Sequence, residues 1–325
     1  MTFKERNEIF NKLEKKYPNL SWQPMLIPVM RVGFKFYLRF DVKVNFEEMI
    51  PNDGVVIFPQ NHCNFYDSMV AEKALRGNYY TCFASDEPRG TFQGSGFEAL
   101  SVVWVNRDDK ESRTMASECL LELLKNDCNL SWCPEGLWDL SDNKLLLHIS
   151  RGLAKVAIEG SKYNKVYVMP MVTNYVYKDN STKIERAEVD LCKAIRVNSN
   201  MDVIELTELI EDTMWTKRWE QLERNANNSK NSRHYECLYG SEYVFDRNKL
   251  SKQDWNNFIY KLKSQFALDW EKEMNYEIKS KVQKEQEEVE RTLSLIELKH
   301  FSEMLQKEKM KEEISREQKI RVRKK

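Results

Sequence analysis

The run Pro51-Asn52-Asp53-Gly54-Val55-Val56-Ile57-Phe58 constrains this chain more than any other segment. Pro-Asn-Asp-Gly is a turn signal, and four apolar residues follow it with no polar alternation. A short strand of that kind is buried on both faces, as in sheets that carry helices on either side. The motif then recurs down the chain. Helical periodicity covers 68–75, a strand-like run follows from Tyr79 to Ala84, and Ser101 to Val105 is β-branched and aromatic. Asp108 and Asp109 can cap a helix reaching about Lys125, with Met115, Cys119, Leu120, Leu123 and Leu124 on its apolar side. Leu130 to Cys133 and Val166 to Val172 read as two further strands, separated by a helix around Leu153 to Ile158. Strands alternating with helices predict an α/β fold with a mixed, largely parallel central sheet flanked by helices.

The flanks differ in texture. Residues 1–45 read as an N-terminal helical region in which Ile27, Met30, Phe34 and Leu38 recur at helical spacing. Arg31, Lys35 and Arg39 form a cationic row beside them. That pattern suits a membrane-interface helix, and equally an amphipathic helix packed on the domain with basic stems along its edge. The core domain is placed at 46–225, and residues 226–270 read as a linker and helical segment opening on the polar run NANNSKNSRH. Residues 271–325 are dominated by Glu, Lys and Gln, with Ile278, Val282, Val289, Leu293 and Ile296 in a broken heptad. A long, coiled-coil-like helical tail is expected there, a candidate docking element for a partner helix.

Several classes are disfavoured. Lys and Arg total 51, as do Asp and Glu, so no global positive charge recruits nucleic acid. Seven cysteines are scattered without a Cys-x-x-Cys pair, which argues against a disulfide framework and for a reduced, cytoplasmic setting. Cys63, Cys133, His62 and His148 fit no zinc spacing, so no metal site is expected. No window supplies the roughly 20 apolar residues needed to span a bilayer, and the charged start MTFKERNEIF holds no signal-peptide core. The expectation is a chain that is soluble or peripheral at the inner face of the membrane.

The chemistry concentrates in Asn61-His62-Cys63-Asn64-Phe65-Tyr66-Asp67, directly after the VVIFPQ strand. Only four histidines occur in the chain, and this one sits where an α/β sheet exposes its functional edge. On one continuous helix, residues five apart diverge by about 140°. A His62–Asp67 contact therefore requires His62 in the loop and Asp67 in the first helical turn. Asp67 would then hold one imidazole nitrogen and leave the other as a base. Without context, the favoured reading is a helix N-terminal acid beside an ordinary loop histidine.

The context is a resemblance. Pro51 to Ile57 followed by Asn61-His62-x4-Asp67 resembles the first block of the 1-acylglycerol-3-phosphate acyltransferases and their relatives, the glycerolipid acyltransferase superfamily. Ser101, Trp104 and Arg107 resemble the second block, Gly-x-x-Phe-x-x-Arg. Trp132-Cys133-Pro134-Glu135-Gly136 resembles the third, and Val168-Met169-Pro170-Met171 the fourth. Four partial matches in the family's order cover about residues 40–220.

The resemblance implies an O-acyltransferase. An acyl group would pass from a thioester donor, acyl-CoA or acyl carrier protein, to a hydroxyl of a lysophospholipid-type acceptor, with no cofactor. His62 would be the general base and Asp67 its orienting carboxylate. Arg107 would bind an anionic group on the acceptor, and Asn61 would contribute to substrate binding. Glu135 and Gly136 would shape the facing loop, where backbone N–H groups steady an oxyanion. The sequence departs from the family after Gly136, where Leu137-Trp138 replaces Thr-Arg. Trp138 would then contact substrate, and the acceptor could be a glycan or another uncharged alcohol. A lapsed, non-catalytic domain that presents the C-terminal helix is the competing reading.

Overall fold

The computed structural model describes residues 2–225, apart from 65, 76–79, 137–145, 147–148 and 179–182. The expected linker and coiled-coil-like tail from 226 onward, and Leu137, Trp138 and His148, lie outside the described residues. Among these the chain runs through α1 (Phe3–Lys16), β1 (Leu20–Ser21), α2 (Ile27–Tyr37), β2 (Asp41–Phe46), β3 (Val55–Pro59), α3 (Asp67–Ala74), β4 (Tyr80–Ser85) and α4 (Phe92–Leu100). It continues with β5 (Val102–Val105), α5 (Lys110–Lys125), β6 (Asn129–Trp132), α6 (Gly152–Gly160), β7 (Val166–Val168), β8 (Met171–Tyr177), β9 (Ile184–Leu191), β10 (Ile195–Val197) and α7 (Val203–Arg224).

The central sheet has the order β1-β5-β4-β6-β3-β7-β10. Its five inner strands are mutually parallel and its two edge strands antiparallel. Every residue of β3 is buried, as the unbroken apolar run requires. Gly54 lets the preceding turn close onto β7: Val55 N donates to Lys165 O at 2.9 Å, and a Cβ at position 54 would lie 2.4 Å from that oxygen. On α5, Asp109 accepts from the backbone N–H groups of Glu111 and Ser112, while Cys119, Leu120, Leu123 and Leu124 are buried. Each such fully buried apolar side chain contributes about 1.5–3 kcal/mol.

The expected single strand over 166–172 is instead two strands in different sheets. Pro170 has no N–H to donate, so the ladder with β3 ends after Met169 N bonds Ile57 O at 2.9 Å. β8 then peels away into a three-stranded sheet of order β2-β9-β8, held to the first by one bridge between Gln60 and Met171.

The N-terminal region also departs from its reading as purely helical. β2 pairs in parallel with β9 through Asp41↔Arg186 to Phe46↔Leu191, so it belongs to the folded domain. α1 is a packed element, with Arg6, Phe10 and Leu13 buried. On α2, the row Ile27, Met30 and Phe34 is half-buried and turns toward the protein, with Met30 against Gly96 of α4. A different row, Met25, Val29 and Val32, is the exposed one, at 90%, 64% and 56%. Arg31 is drawn back to the domain by Glu72 of α3, at 3.3 Å.

Candidate active site

The carboxyl ends of the inner strands converge on one edge of the central sheet, the position where open α/β sheets place their sites. The loop after β3 carries Asn61, His62 and Asp67, that after β6 carries Cys133 to Gly136, and that after β5 carries Arg107.

Asp67 occupies the first turn of α3 and is 3% exposed. Its Oδ2 accepts from His62 Nδ1 at 2.9 Å, from Cys63 N at 2.7 Å and from Asn64 N at 2.8 Å. Its Oδ1 accepts from the Tyr175 hydroxyl at 2.6 Å. A carboxylate only accepts, so the His62 proton sits on Nδ1 and the lone pair on Nε2. The imidazole is 31% exposed, within reach of solutes. The loop geometry required of a His and an Asp five apart is therefore realised: His62 precedes the helix and Asp67 opens it.

Glu135 is 7% exposed, and its Oε1 accepts the backbone N–H of His62 at 3.0 Å. Gly136 adopts φ +72°, a conformation that favours glycine. Its N–H donates to Cys133 O at 3.1 Å, closing the turn that opens the loop facing His62. The Gly136 carbonyl accepts from Arg107 Nη1, and Arg107 Nη2 lies 3.4 Å from Glu87 Oε1. Arg107 thus bridges three loops at the sheet edge.

Asn61, expected to contribute to substrate binding, turns its side chain to the protein. It is 2% exposed, receives Thr173 N on Oδ1 at 2.7 Å, and donates from Nδ2 to Thr173 O at 3.0 Å and Cys63 Sγ at 3.3 Å. The side chain acts as an extra rung of β-ladder between the catalytic-type loop and β8. Both its donor hydrogens and its carbonyl oxygen are engaged by the protein.

The environment is apolar and aromatic. Phe40 packs edge-on against Tyr66 and Tyr175, at 5.3 and 6.2 Å between ring centroids. Burial, reinforced by the Asp67 charge, pushes the Tyr175 phenol well above its usual range. Burial does the same to the Cys133 thiol, with Asp67 and Glu135 adding to it. Cys133 is therefore a poor nucleophile despite its position beside the site. Among the described residues no group of three or more His, Cys, Asp or Glu is placed to hold a metal ion.

Sequence reading missed Tyr175 and Glu87. The alternating tyrosines of MVTNYVY were the available signal: period two puts Tyr175 and Tyr177 on one face of β8, and both hydroxyls reach the 61–67 loop.

Comparison with known proteins matches this architecture to a family. Residues 41–174 match the family model described as Acyltransferase. Among solved structures, the chain is similar to the Thermotoga maritima 1-acyl-sn-glycerophosphate (LPA) acyltransferase, PlsC. The likeness has a TM-score of 0.47 and 17% sequence identity, over 61% of this chain and 78% of that one. No curated protein sequence matches the chain.

Proposed function

We propose that this acyltransferase moves a fatty acyl group from a thioester, acyl-CoA or acyl carrier protein, to a hydroxyl of a lysophospholipid-type acceptor. The observation that carries the reading is the His62 Nδ1–Asp67 Oδ2 bond of 2.9 Å at the carboxyl end of β3, inside the matched domain. His62 Nε2 takes the acceptor's hydroxyl proton as the oxygen attacks the thioester carbonyl carbon. The tetrahedral intermediate collapses, the C–S bond breaks, and the thiolate leaves and is protonated by the imidazolium. Asp67 stabilises that imidazolium. A base so placed contributes about 10²–10⁴-fold.

Arg107 places a guanidinium at this edge for an acceptor phosphate, which would exchange for Glu87. The Arg107–Glu87 pair also supports a second reading, in which that part of the acceptor is uncharged and the carboxylate stays in place. Substrate delivery is proposed to occur at a membrane surface. No described helix is long and apolar enough to cross a membrane, but Val29 and Val32 of α2, with Met25 just before it, leave bulky apolar side chains exposed as an interfacial helix does.

Thiol release by the purified full chain tests the reading, with acyl-CoA and acyl carrier protein donors against lysophosphatidate, other lysolipids and sugar alcohols. Acceptor-dependent release that disappears in His62→Ala is the expected result. Turnover by His62→Ala at the wild-type rate would overturn the mechanism, and no release with any pair would favour a non-catalytic domain. Vesicle flotation of Val29→Asp/Val32→Asp against wild type tests the surface reading, which fails if both float equally.

A further inference from the structure

We infer that Tyr175 is a positioning residue for the acyl transfer: its hydroxyl, donated to Asp67 Oδ1, aims the carboxylate at His62 and sets how tightly the pair holds its proton. The inference rests on the reading of His62 as the base.

The bonds to Asp67 divide by origin. The three N–H groups on Oδ2 come from His62, Cys63 and Asn64, all in the same short loop. They move with the loop and do not hold it relative to the rest of the molecule. The bond to Oδ1 comes from β8, in the second sheet. β8 is in turn paired along its length with β9, and two residues before Tyr175 its backbone is clamped by Asn61. The clamp grips the Thr173 backbone and the phenol reaches out from the strand two residues on, so both tie β8 to the loop. The edge-on contact of Phe40 with the Tyr175 ring limits its rotation.

Asp67 is otherwise sealed from water, with its side chain 4% exposed. Without the phenol, Oδ1 would be a buried anionic oxygen with no donor, and such a group is costly. The groups that face Asp67 are His62 and Cys63 from its own loop, Tyr175 and Tyr177 from β8, and Cys133 after β6, with Glu135 beyond at the His62 amide. Burial keeps the Tyr175 phenol protonated through the neutral range, so it is a donor wherever the enzyme would be assayed.

The sign follows from where the charge lies. The O–H bond is strongest when Asp67 carries an unshared negative charge, which is the state with His62 neutral and ready as a base. Removing the bond makes the pair retain its proton to higher pH, and the acid limb of kcat/KM moves up.

In the full chain, Tyr175→Phe is expected to lower kcat about tenfold. KM should stay within about twofold, and the acid limb should shift upward by about half to one pH unit. Because a bare buried oxygen can itself disturb folding, 3-fluorotyrosine at position 175 provides a second test with nearly the same shape and a more acidic phenol. It is expected to move the acid limb to lower pH, with circular dichroism unchanged. An unshifted limb in both proteins overturns the inference even if kcat falls, because a merely structural tyrosine would give that result. His62→Ala separates the two failures. If it keeps wild-type turnover, the general-base reading falls and takes this inference with it. If it is inactive while both Tyr175 proteins match wild type, only the role of Tyr175 is lost.

Discussion

The Glu135 carboxylate accepts the backbone N–H of His62 at 3.0 Å, joining the loop after β6 to the loop after β3 across 73 residues of sequence. With Asn61 clamped to Thr173 and Asp67 bonded to Tyr175, the histidine loop is held from the central sheet and from the second sheet at once. The rigidity of the site thus comes from three side chains that spend their polarity on the protein rather than on substrate.

Glu135 then has a separable signature. Glu135→Gln keeps an acceptor oxygen and is expected to retain kcat within about threefold, whereas Glu135→Ala lowers it about 10–100-fold, the worth of a buried bond to a charged acceptor. Steady-state kinetics of both variants decide the point. A glutamine variant as poor as alanine, with a raised KM for acceptor, would mean that the carboxylate touches substrate.

Glu87 holds the Arg107 guanidinium at 3.4 Å, with both side chains about 30% exposed. Such a pair contributes at most about 1 kcal/mol. Glu87→Gln is accordingly expected to lower KM for a phosphorylated acceptor by about two- to fivefold, and to leave an uncharged acceptor unaffected. Competition assays with the two acceptors measure this, and equal effects on both would remove Arg107 from phosphate recognition.

Ser101 stands where the family motif has glycine and adopts φ +92°. That strain costs about 1–3 kcal/mol and is offset by its hydroxyl, which accepts from the buried Arg6 guanidinium at 2.6 Å. Ser101→Gly is expected to destabilise the wild type by about 1 kcal/mol, because a bond to a buried charge outweighs the relief. In an Arg6→Met background the sign should reverse. Urea unfolding of the four proteins closes the cycle.

The cysteines report on closure of the site. Burial pushes Cys82 and Cys119 up to about 12 and Cys128 up to about 11, and raises Cys133 as well. A raised thiol holds less thiolate at a given pH, so at pH 8 these four should label at least about 100-fold more slowly in the native protein than in urea. Residue-resolved mass spectrometry after pulse alkylation measures it. Rapid native labelling of Cys133 alone would show that the Glu135 loop opens.

Local sequence alone determined the elements whose signals are complete within themselves. β3 was legible because four consecutive apolar residues after a turn fit a strand buried on both faces. α5 was legible to within a residue of its start, because Asp108 and Asp109 both offered a cap and Asp109 takes the amide groups of Glu111 and Ser112. The His62–Asp67 pair was legible because both partners sit in one short loop, whose geometry follows from the helix period. β9 was not, since its Glu188 and Asp190 make sense as buried residues only beside Gln221 and Arg224 of α7 and Asn225 just after it. α4 was missed as well, because two glycines lower its local preference for helix. Nothing within 166–172 says that Met171 leaves one sheet for another. The tertiary structure decided that, and with it which faces of α2 are covered and what Asn61, Glu135 and Tyr175 bond. Their partners lie 73 to 112 residues away in the chain. A hydrogen bond spanning that distance leaves no local pattern, because only the folded backbone brings its two ends within 3 Å.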